Sequence, residues 1–247
     1  MTRGPILHCD RCPLRPLGIF RRLSAELLRL VDLAKVPHVL GAGQILFDEG
    51  APALAVHCIC SGVVKVTKLG TQGEEQIIRV LCSGEVVGYR AVLAGEPYGA
   101  TAQALEDTTV CTIPAQVLVG LIRRSPDFAL DVLGMVAKEL RISEEALIDL
   151  RRKSVRQRLA GALLLLSDAR PQTSAPRRPA VIRLARRDLA RLIATSPESV
   201  SRALQRLAAE RSIACTRTEI RIISSPLLRR AAGGSPLSEV DRRQSGE

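Results

Sequence analysis

From Leu133 to Leu150 the chain sets apolar side chains at Leu133, Val136, Leu140, Leu147 and Leu150, with Ser143 in the one polar place; the steps are 3, 4, 3, 4 and 3. That alternation is the seam of a coiled coil, a single stripe along one face of a long helix. The helix has a marked start. Ser125 stands at the N-cap position and Pro126 at the first helical residue, where a missing N–H costs nothing. Each seam leucine taken out of water contributes about 1.5–3 kcal/mol, and a lone helix covers none of them. The seam therefore folds back onto the chain's own body or pairs with a second copy. The reading adopted is a homodimer through residues 126–152.

Ahead of the seam the texture changes. From about residue 38 to 115, β-prone runs such as VHCIC, VVKVTKL and EQIIRVL alternate with glycine turns, among them Gly50, Gly62, Gly73, Gly84 and Gly95. Short strands broken by regular turn signals describe a small antiparallel barrel or roll. Ser24 caps a short helix through Ala34, with Leu27, Leu28, Leu30 and Val31 as its apolar stripe. Aromatic residues are few (three Phe, two Tyr, no Trp), so the core is built from Leu, Val, Ile and Ala.

Behind the seam a helix covers about 155–168, a proline-rich loop 170–180, and VIRL a short strand. Two helices follow, Arg187 to Ala194 and Glu198 to Arg211, joined by Thr195-Ser196-Pro197. SIACTRTEIRII then forms a hairpin, and the Gly/Ser/Arg-rich tail from about Ser225 is expected to fray. The expected divisions are an arm and roll over 1–124, a dimerisation helix over 125–153, a helix-turn-helix domain over 154–228 and a flexible tail over 229–247. No apolar run approaches the ~20 residues of a membrane helix, Leu159 to Leu166 being too short, and MTRGPILHCD has no secretory core. A cytoplasmic protein with no membrane partner is expected.

Charge separates the two halves. Residues 1–150 hold 15 basic and 17 acidic side chains; residues 151–247 hold 21 and 8. A strongly basic half attached to a near-neutral one suggests a nucleic-acid module joined to something else, although a solvated basic surface is the plainer alternative. The segment DLARLIATSPESVSRALQRLAAE sharpens this. Val200, Leu204 and Leu207 form the inner face of its second helix and leave Glu198, Ser199, Ser201, Arg202 and Gln205 outward. A helix so placed enters a major groove, where Arg202 can donate twice to guanine and Glu198 can accept from cytosine. An ordinary amphipathic hairpin shares the pattern without the function.

The order of roll, seam helix and basic winged helix-turn-helix resembles the Crp/Fnr family over roughly residues 7–228. ESVSR (Glu198 to Arg202) resembles its E-x-x-S-R recognition signature, AQALEDTTVCTIP (Ala102 to Pro114) the barrel strand and turn of its Fnr branch, and GEVVGY (Gly84 to Tyr89) a glycine-bounded turn. The resemblance implies an α+β fold: an N-terminal cyclic-nucleotide-binding-like β-roll, a long dimerisation helix and a C-terminal winged helix-turn-helix. It implies double-stranded DNA and RNA polymerase as partners and a TTGAT-like inverted repeat as the site. Ser201 would meet a thymine, and Arg186, Arg187 and Arg206 would set affinity through phosphates.

For the sensor, the cyclic-nucleotide branch holds its ligand with a Glu after the second glycine of that turn and an Arg-Ser pair further on. Here Tyr89 follows Gly88 and Tyr98-Gly99 stands later, so a cyclic nucleotide lacks its anchors. The Fnr branch holds an iron–sulfur cluster. Cys9, Cys12 and Cys111 match two arm ligands and the barrel ligand, but the third arm position is Gly18. A thiol–disulfide switch at Cys9 and Cys12, a zinc-like pair or a vestigial pair remain alternatives. Cys58, Cys60, Cys82 and Cys215 read as small core residues. A redox- or metal-sensing module binding RNA or another acidic partner is the competing function. A cupin-like metalloenzyme lacks support: His8, His38 and His57 fall in no H-x-H or H-E-x-x-H spacing, and no catalytic residue is assigned.

Overall fold

The glycine-bounded runs fold as strands that stack into two sheets. The computed structural model describes residues 2–3, 8–16, 18–71, 73–168, 181–216 and 218–233, and the chain divides into two units, 1–144 and 145–247. In the first unit the strands are β1 (Thr2–Arg3), β2 (Val36–Leu40), β3 (Ile45–Phe47), β4 (Ala55–Ser61), β5 (Val63–Leu69), β6 (Glu75–Cys82), β7 (Val86–Val87), β8 (Thr101–Ala104) and β9 (Thr108–Pro114). One sheet has the order β1-β2-β9-β4-β7 and the other β3-β8-β5-β6, with every pairing antiparallel. Gly62 makes the tight turn from β4 to β5 at φ +89°, and a Cβ there would stand 2.3 Å from the Thr108 hydroxyl, so only glycine fits.

Alternation along the strands produces two cores on opposite faces of the five-stranded sheet. Leu40, Ile59, Val87 and Val110 face inward and meet Leu46, Val64, Val66, Leu81 and Ala102 of the second sheet. Val56, Val86 and Ile113 face the other way, toward helices α1 (Ala25–Ala34), α3 (Ala115–Arg124) and the start of α4 (Pro126–Arg152). Leu27, Leu28, Val31, Leu118, Leu121, Phe128 and Val132 close this layer, and Phe20 stacks on Phe128 with ring centroids 5.7 Å apart. A short helix α2 (Tyr89–Ala94) follows β7.

The capping expectations hold. Ser24 accepts from the Leu27 N–H at 3.3 Å and Ser125 from the Phe128 N–H at 3.2 Å. In α1, Leu27, Leu28 and Val31 are buried while Leu30 is 39% exposed, so the stripe is narrower than its four apolar residues. No sequence signal marks α3: its N-cap is Pro114, which offers no side-chain hydrogen bond. Along α4, Leu133, Leu140, Leu147 and Leu150 are 45–66% exposed and Ser143 is exposed, whereas Val136 is half-buried against the helical core layer.

The second unit holds α5 (Val155–Asp168), β10 (Val181–Ile182), α6 (Arg186–Leu192), α7 (Pro197–Ala209), β11 (Ile213–Cys215), β12 (Ile220–Ile222) and α8 (Ser225–Ala231). Its three strands pair in the order β10-β12-β11, so the VIRL strand joins the hairpin as a small wing. The proline-rich loop expected at 170–180 lies outside the described residues. The fraying expected from Ser225 is corrected. Ser224 caps α8 by accepting from the Leu227 N–H at 3.4 Å, and Leu228 is fully buried in this unit. The boundary drawn after residue 228 falls inside that helix; two buried residues near the end, Leu228 and Ala231, outweigh a polar composition. Residues 234–247 of the expected tail lie outside the described residues.

Candidate functional site

In the second unit the candidate interface is one helix. Ser196 caps α7 by accepting from the Ser199 N–H at 3.2 Å, and Pro197 fills the first position. In the turn before it, Ala194 takes φ +50°, and the Thr195 N–H donates to the Ala190 carbonyl at 3.0 Å. Val200, Ala203, Leu204 and Leu207 are buried, which leaves Glu198, Ser201, Arg202, Gln205 and Arg206 exposed and Ser199 half-buried. The hydrophobic pattern alone therefore decides which face of α7 is free.

That outer face is pre-arranged. Arg202 Nη2 donates to Ser199 Oγ at 3.2 Å, and Ser201 Oγ donates to the Pro197 carbonyl at 2.9 Å. To donate to a thymine O4, which only accepts, the Ser201 hydroxyl has to turn away from that carbonyl. The Glu198 carboxyl is held below its ordinary range by its own backbone N–H first, then the Ser196 hydroxyl and the Arg202 charge. An anion and a planar cation sit one helical turn apart, the chemistry that accepts from cytosine and donates twice to guanine. Arg187 is exposed, but Arg186 is half-buried and donates to the Thr216 carbonyl at 2.9 Å, tying α6 to the wing. Arg156 reaches both Glu210 oxygens at 3.0 and 2.9 Å, fixing α5 to the end of α7.

In the first unit the cysteines are assembled from several segments. Cys9 opens a short 3-10 turn, Cys9–Arg11. Its N–H donates to Asp32 Oδ1 at 2.8 Å, and its sulfur accepts from Lys35 Nζ at 3.1 Å. Lys35 also pairs with Asp32, and His8 Nδ1 shares a 2.8 Å hydrogen bond with Asp32 Oδ2. Burial alone would raise the Asp32 carboxyl; the hydrogen bonds from His8, Lys35 and Cys9 outweigh it and hold the group well below the carboxylate range. Burial pushes the Cys9 thiol up to about 11 despite Lys35. Cys12 lines a shallow pocket with Asp10, Arg15, Pro16, Arg21 and Arg22.

Cys111 lies on β9 directly opposite Cys58 of β4. The register of β4 slips between Ile59 and Ser61, leaving Cys60 as the extra residue of a bulge. Cys60 Sγ comes to 3.4 Å from Cys111 Sγ. The hydrogen bond from the Cys60 thiol outweighs burial and brings Cys111 down to about 7, while the same contact raises Cys60. Burial also raises Cys58, and Cys9, Cys12 and Cys111 lie close enough for their charges to add to that shift.

A cubane cluster needs four donors around one centre, usually thiolates. The donor chemistry suits such a group, but the placement does not. Cys9 is engaged by Lys35, Cys111 by Cys60, and Gly18 occupies the remaining arm position. Among the described residues no three His, Cys, Asp or Glu side chains converge on a possible ion. As placed, Cys9, Cys12 and Cys111 do not form a ligand set.

Two further features escaped the sequence reading. Glu139, buried on α4, accepts from the Tyr89 hydroxyl and pairs with Arg79 at 2.6 Å and Arg90 at 3.3 Å. Burial and then Glu139 raise the Tyr89 phenol to about 12. Inside the roll, Phe47 stacks on Tyr98 with centroids 3.8 Å apart and on His57 at 5.5 Å. Cys60, read from the sequence as a small core residue, is half-buried and touches Cys111. The C-x-C spacing does place Cys58 and Cys60 on one strand face; only the strand register reveals Cys111 beside them.

Comparison with known proteins follows the same division. Residues 37–125 match the family described as "Cyclic nucleotide-binding domain" and residues 157–231 the "Crp-like helix-turn-helix domain". The chain is 28% identical over 237 residues to the fumarate and nitrate reduction regulatory protein of Vibrio cholerae, covering 96% of this chain and 94% of that protein. It is 29% identical over 231 residues to the transcriptional activator protein anr of Pseudomonas aeruginosa, covering 93% and 94%. Among solved structures, FixK2 from Bradyrhizobium japonicum superposes with a TM-score of 0.69 at 25% identity, covering 80% of this chain and 96% of that one. Among the described residues no helix is long and apolar enough to cross a membrane.

Proposed function

As a member of the Crp/Fnr family this chain is a DNA-binding transcription regulator, and we propose that it reads a TTGAT-like inverted repeat as a homodimer and responds to redox state through the cysteines of its first unit. The observation that carries the DNA reading is the division of α7: four buried residues inside, Glu198, Ser201 and Arg202 outside. Arg202 takes the guanine of the half-site, Glu198 the opposite cytosine, and Ser201 and Ser199 the neighbouring edge. Exposed Arg187 and Arg206 supply phosphate affinity. Arg186, engaged with the wing, contributes through its remaining donors. Selection from a random-sequence pool should return inverted repeats with a TGA core about one helical turn apart. Recovery of sites lacking that core, or equal binding to RNA and any DNA, refutes the assignment and favours the competing acidic-partner reading.

The homodimer rests on the exposed leucines of α4. A second copy of the same helix is the occupant proposed for Leu133, Leu140, Leu147 and Leu150, which recur at steps of 7, 7 and 3, with Ser143 tolerated and Val136 shared with the helical core. Sedimentation at micromolar concentration should show a dimer that Leu140→Asp splits by placing two carboxylates in the seam. A monomeric parent overturns the claim.

Two observations support the redox reading: the gathering of thiols in the first unit, and a relative whose name ties it to fumarate and nitrate reduction. An iron–sulfur group on Cys9, Cys12 and Cys111 would require the Cys9 sulfur to give up its hydrogen bond from Lys35. Iron and sulfide assays on anaerobically purified protein decide between that arrangement and direct thiol chemistry. Buried Tyr89, turned to Glu139, and the aromatic filling of the roll argue against a cyclic nucleotide as the signal. The proposed setting is cytoplasmic, with DNA and, by family resemblance, RNA polymerase as partners.

A further inference from the structure

We propose that Cys60 and Cys111 form an oxidation site, a dithiol that a hydroperoxide converts to a disulfide between β4 and β9. The proposal deepens the redox reading above and moves its centre from the arm to the sheet. Two sulfurs 3.4 Å apart are in van der Waals contact. A disulfide at about 2.05 Å needs a further approach of about 1.4 Å. The strands already hold the two residues. Cys58 and Cys111 are in register, and the bulge after Ile59 presents Cys60 diagonally to Cys111 on the same face. Both residues are partly exposed, so a small oxidant has access.

The pair is also asymmetric in the way thiol oxidation requires. Cys60 donates its S–H toward the Cys111 sulfur, so the contact leaves the proton on Cys60 and presents Cys111 as the attacking sulfur once it is deprotonated. The Cys111 thiolate attacks the terminal oxygen of a hydroperoxide; an S–O bond forms, the O–O bond breaks, and the departing alkoxide or hydroxide takes a proton from water. Cys111 is now a sulfenic acid. Cys60 then attacks its sulfur. The S–S bond forms, the S–O bond breaks, and the released hydroxide accepts the Cys60 proton as water. Overall, two thiols and one hydroperoxide give one disulfide, one alcohol or water, and one water; the two sulfurs lose two electrons to the O–O bond. Cys9 is held differently, its sulfur accepting from Lys35 Nζ at 3.1 Å.

The test uses the full chain, reduced and desalted without air, then treated with equimolar hydrogen peroxide, alkylated and digested for mass spectrometry. The expected product is a cross-link between the Cys60 and Cys111 peptides that dithiothreitol reverses. Cys60→Ser should leave Cys111 as a sulfenic acid that dimedone traps, and Cys58→Ser should leave the cross-link intact. A cross-link from Cys111 to Cys9 or Cys12, or no disulfide at all, overturns the proposal. Iron in the anaerobic protein that Cys111→Ser removes overturns it too, while sparing the broader redox reading. Loss of iron-free redox response in DNA binding with the cross-link still present would instead sink that broader reading. Because the cross-link is read in the unmodified chain, the result does not depend on any variant folding.

Discussion

The two candidate sites are built in opposite ways. The outer face of α7 takes Glu198, Ser201 and Arg202 from one helix, spaced by its own pitch. The thiol face takes Cys9 from the arm, Lys35 from the end of α1, Cys58 and Cys60 from β4, and Cys111 from β9. A site confined to one element inherits its geometry from local periodicity and tolerates changes elsewhere in the chain. A site gathered from four segments exists only if the sheet register is right, because a one-residue slip would send Cys58 and Cys60 to the opposite face of the sheet.

The contrast breaks first at the inner face of α7. Leu204 is 1% exposed, and Leu204→Ala should cost about 2–5 kcal/mol of stability through the lost burial and the cavity left behind. Denaturant titration followed by helical circular dichroism measures it; a loss under ~1 kcal/mol would mean that α7 is not anchored by this face. The neighbouring Arg202→Ala should leave that titration unchanged and cost about 1–3 kcal/mol of DNA affinity per half-site, with relaxed preference at the G·C pair. Unchanged base preference in a competition gel shift would show that another face reads the bases.

The roll interior offers a pH test of a group held by several strands. His57 is buried beside Phe47 and Tyr98, with Nδ1 3.0 Å from Thr112 Oγ1. Burial, and secondarily the charge of His38, holds its pKa down to about 4 from 6.5. The folded chain keeps His57 neutral while the unfolded chain protonates it. The associated stability is therefore present above pH 6.5 and lost progressively as the pH falls to about 4, by up to about 3 kcal/mol. Thermal unfolding at pH 7.5 and pH 4.5 should show a smaller acid loss in His57→Gln than in the parent; equal losses would remove His57 as the cause. The smallest effect belongs to the turn before α7. Ala194 takes φ +50°, where a Cβ is strained, so Ala194→Gly should be neutral to stabilising by about 1 kcal/mol at most. A clear destabilisation in the same melts would show that the Ala194 side chain makes a contact that outweighs the strain.

How much could be read before the fold was known follows the same line. The Ser24 and Ser125 helix starts and the inner face of α7 came from spacing within about two turns of one helix, and each lies where that spacing put it, whereas α7 begins at Pro197, inside the segment read as a turn. The failures came where neighbours in space are far apart in sequence. Nothing in the sequence pointed to the hydrogen bond from Arg186 to the Thr216 carbonyl of the wing. Polar composition after Ser225 suggested fraying, but a capped helix with Leu228 buried against its unit forms there. Cys60 looked like core filling until strand pairing set it against Cys111.

Sequence by itself determined the capped helix starts at Ser24 and Ser125 and the chemistry of the α7 surface, because a 3.6-residue period and a capping hydroxyl act over a few residues and need no partner to be recognised. It also settled the division into a near-neutral half and a basic half, since charge is additive along the chain. Only the tertiary structure decided which cysteines meet, where Glu139 is buried between Tyr89 and two arginines, and why Val136 belongs partly to the helical core. Those outcomes depend on strand order, on a single bulge at Cys60 and on the docking of α4 against the sheet layer, and packing between distant segments fixes all three.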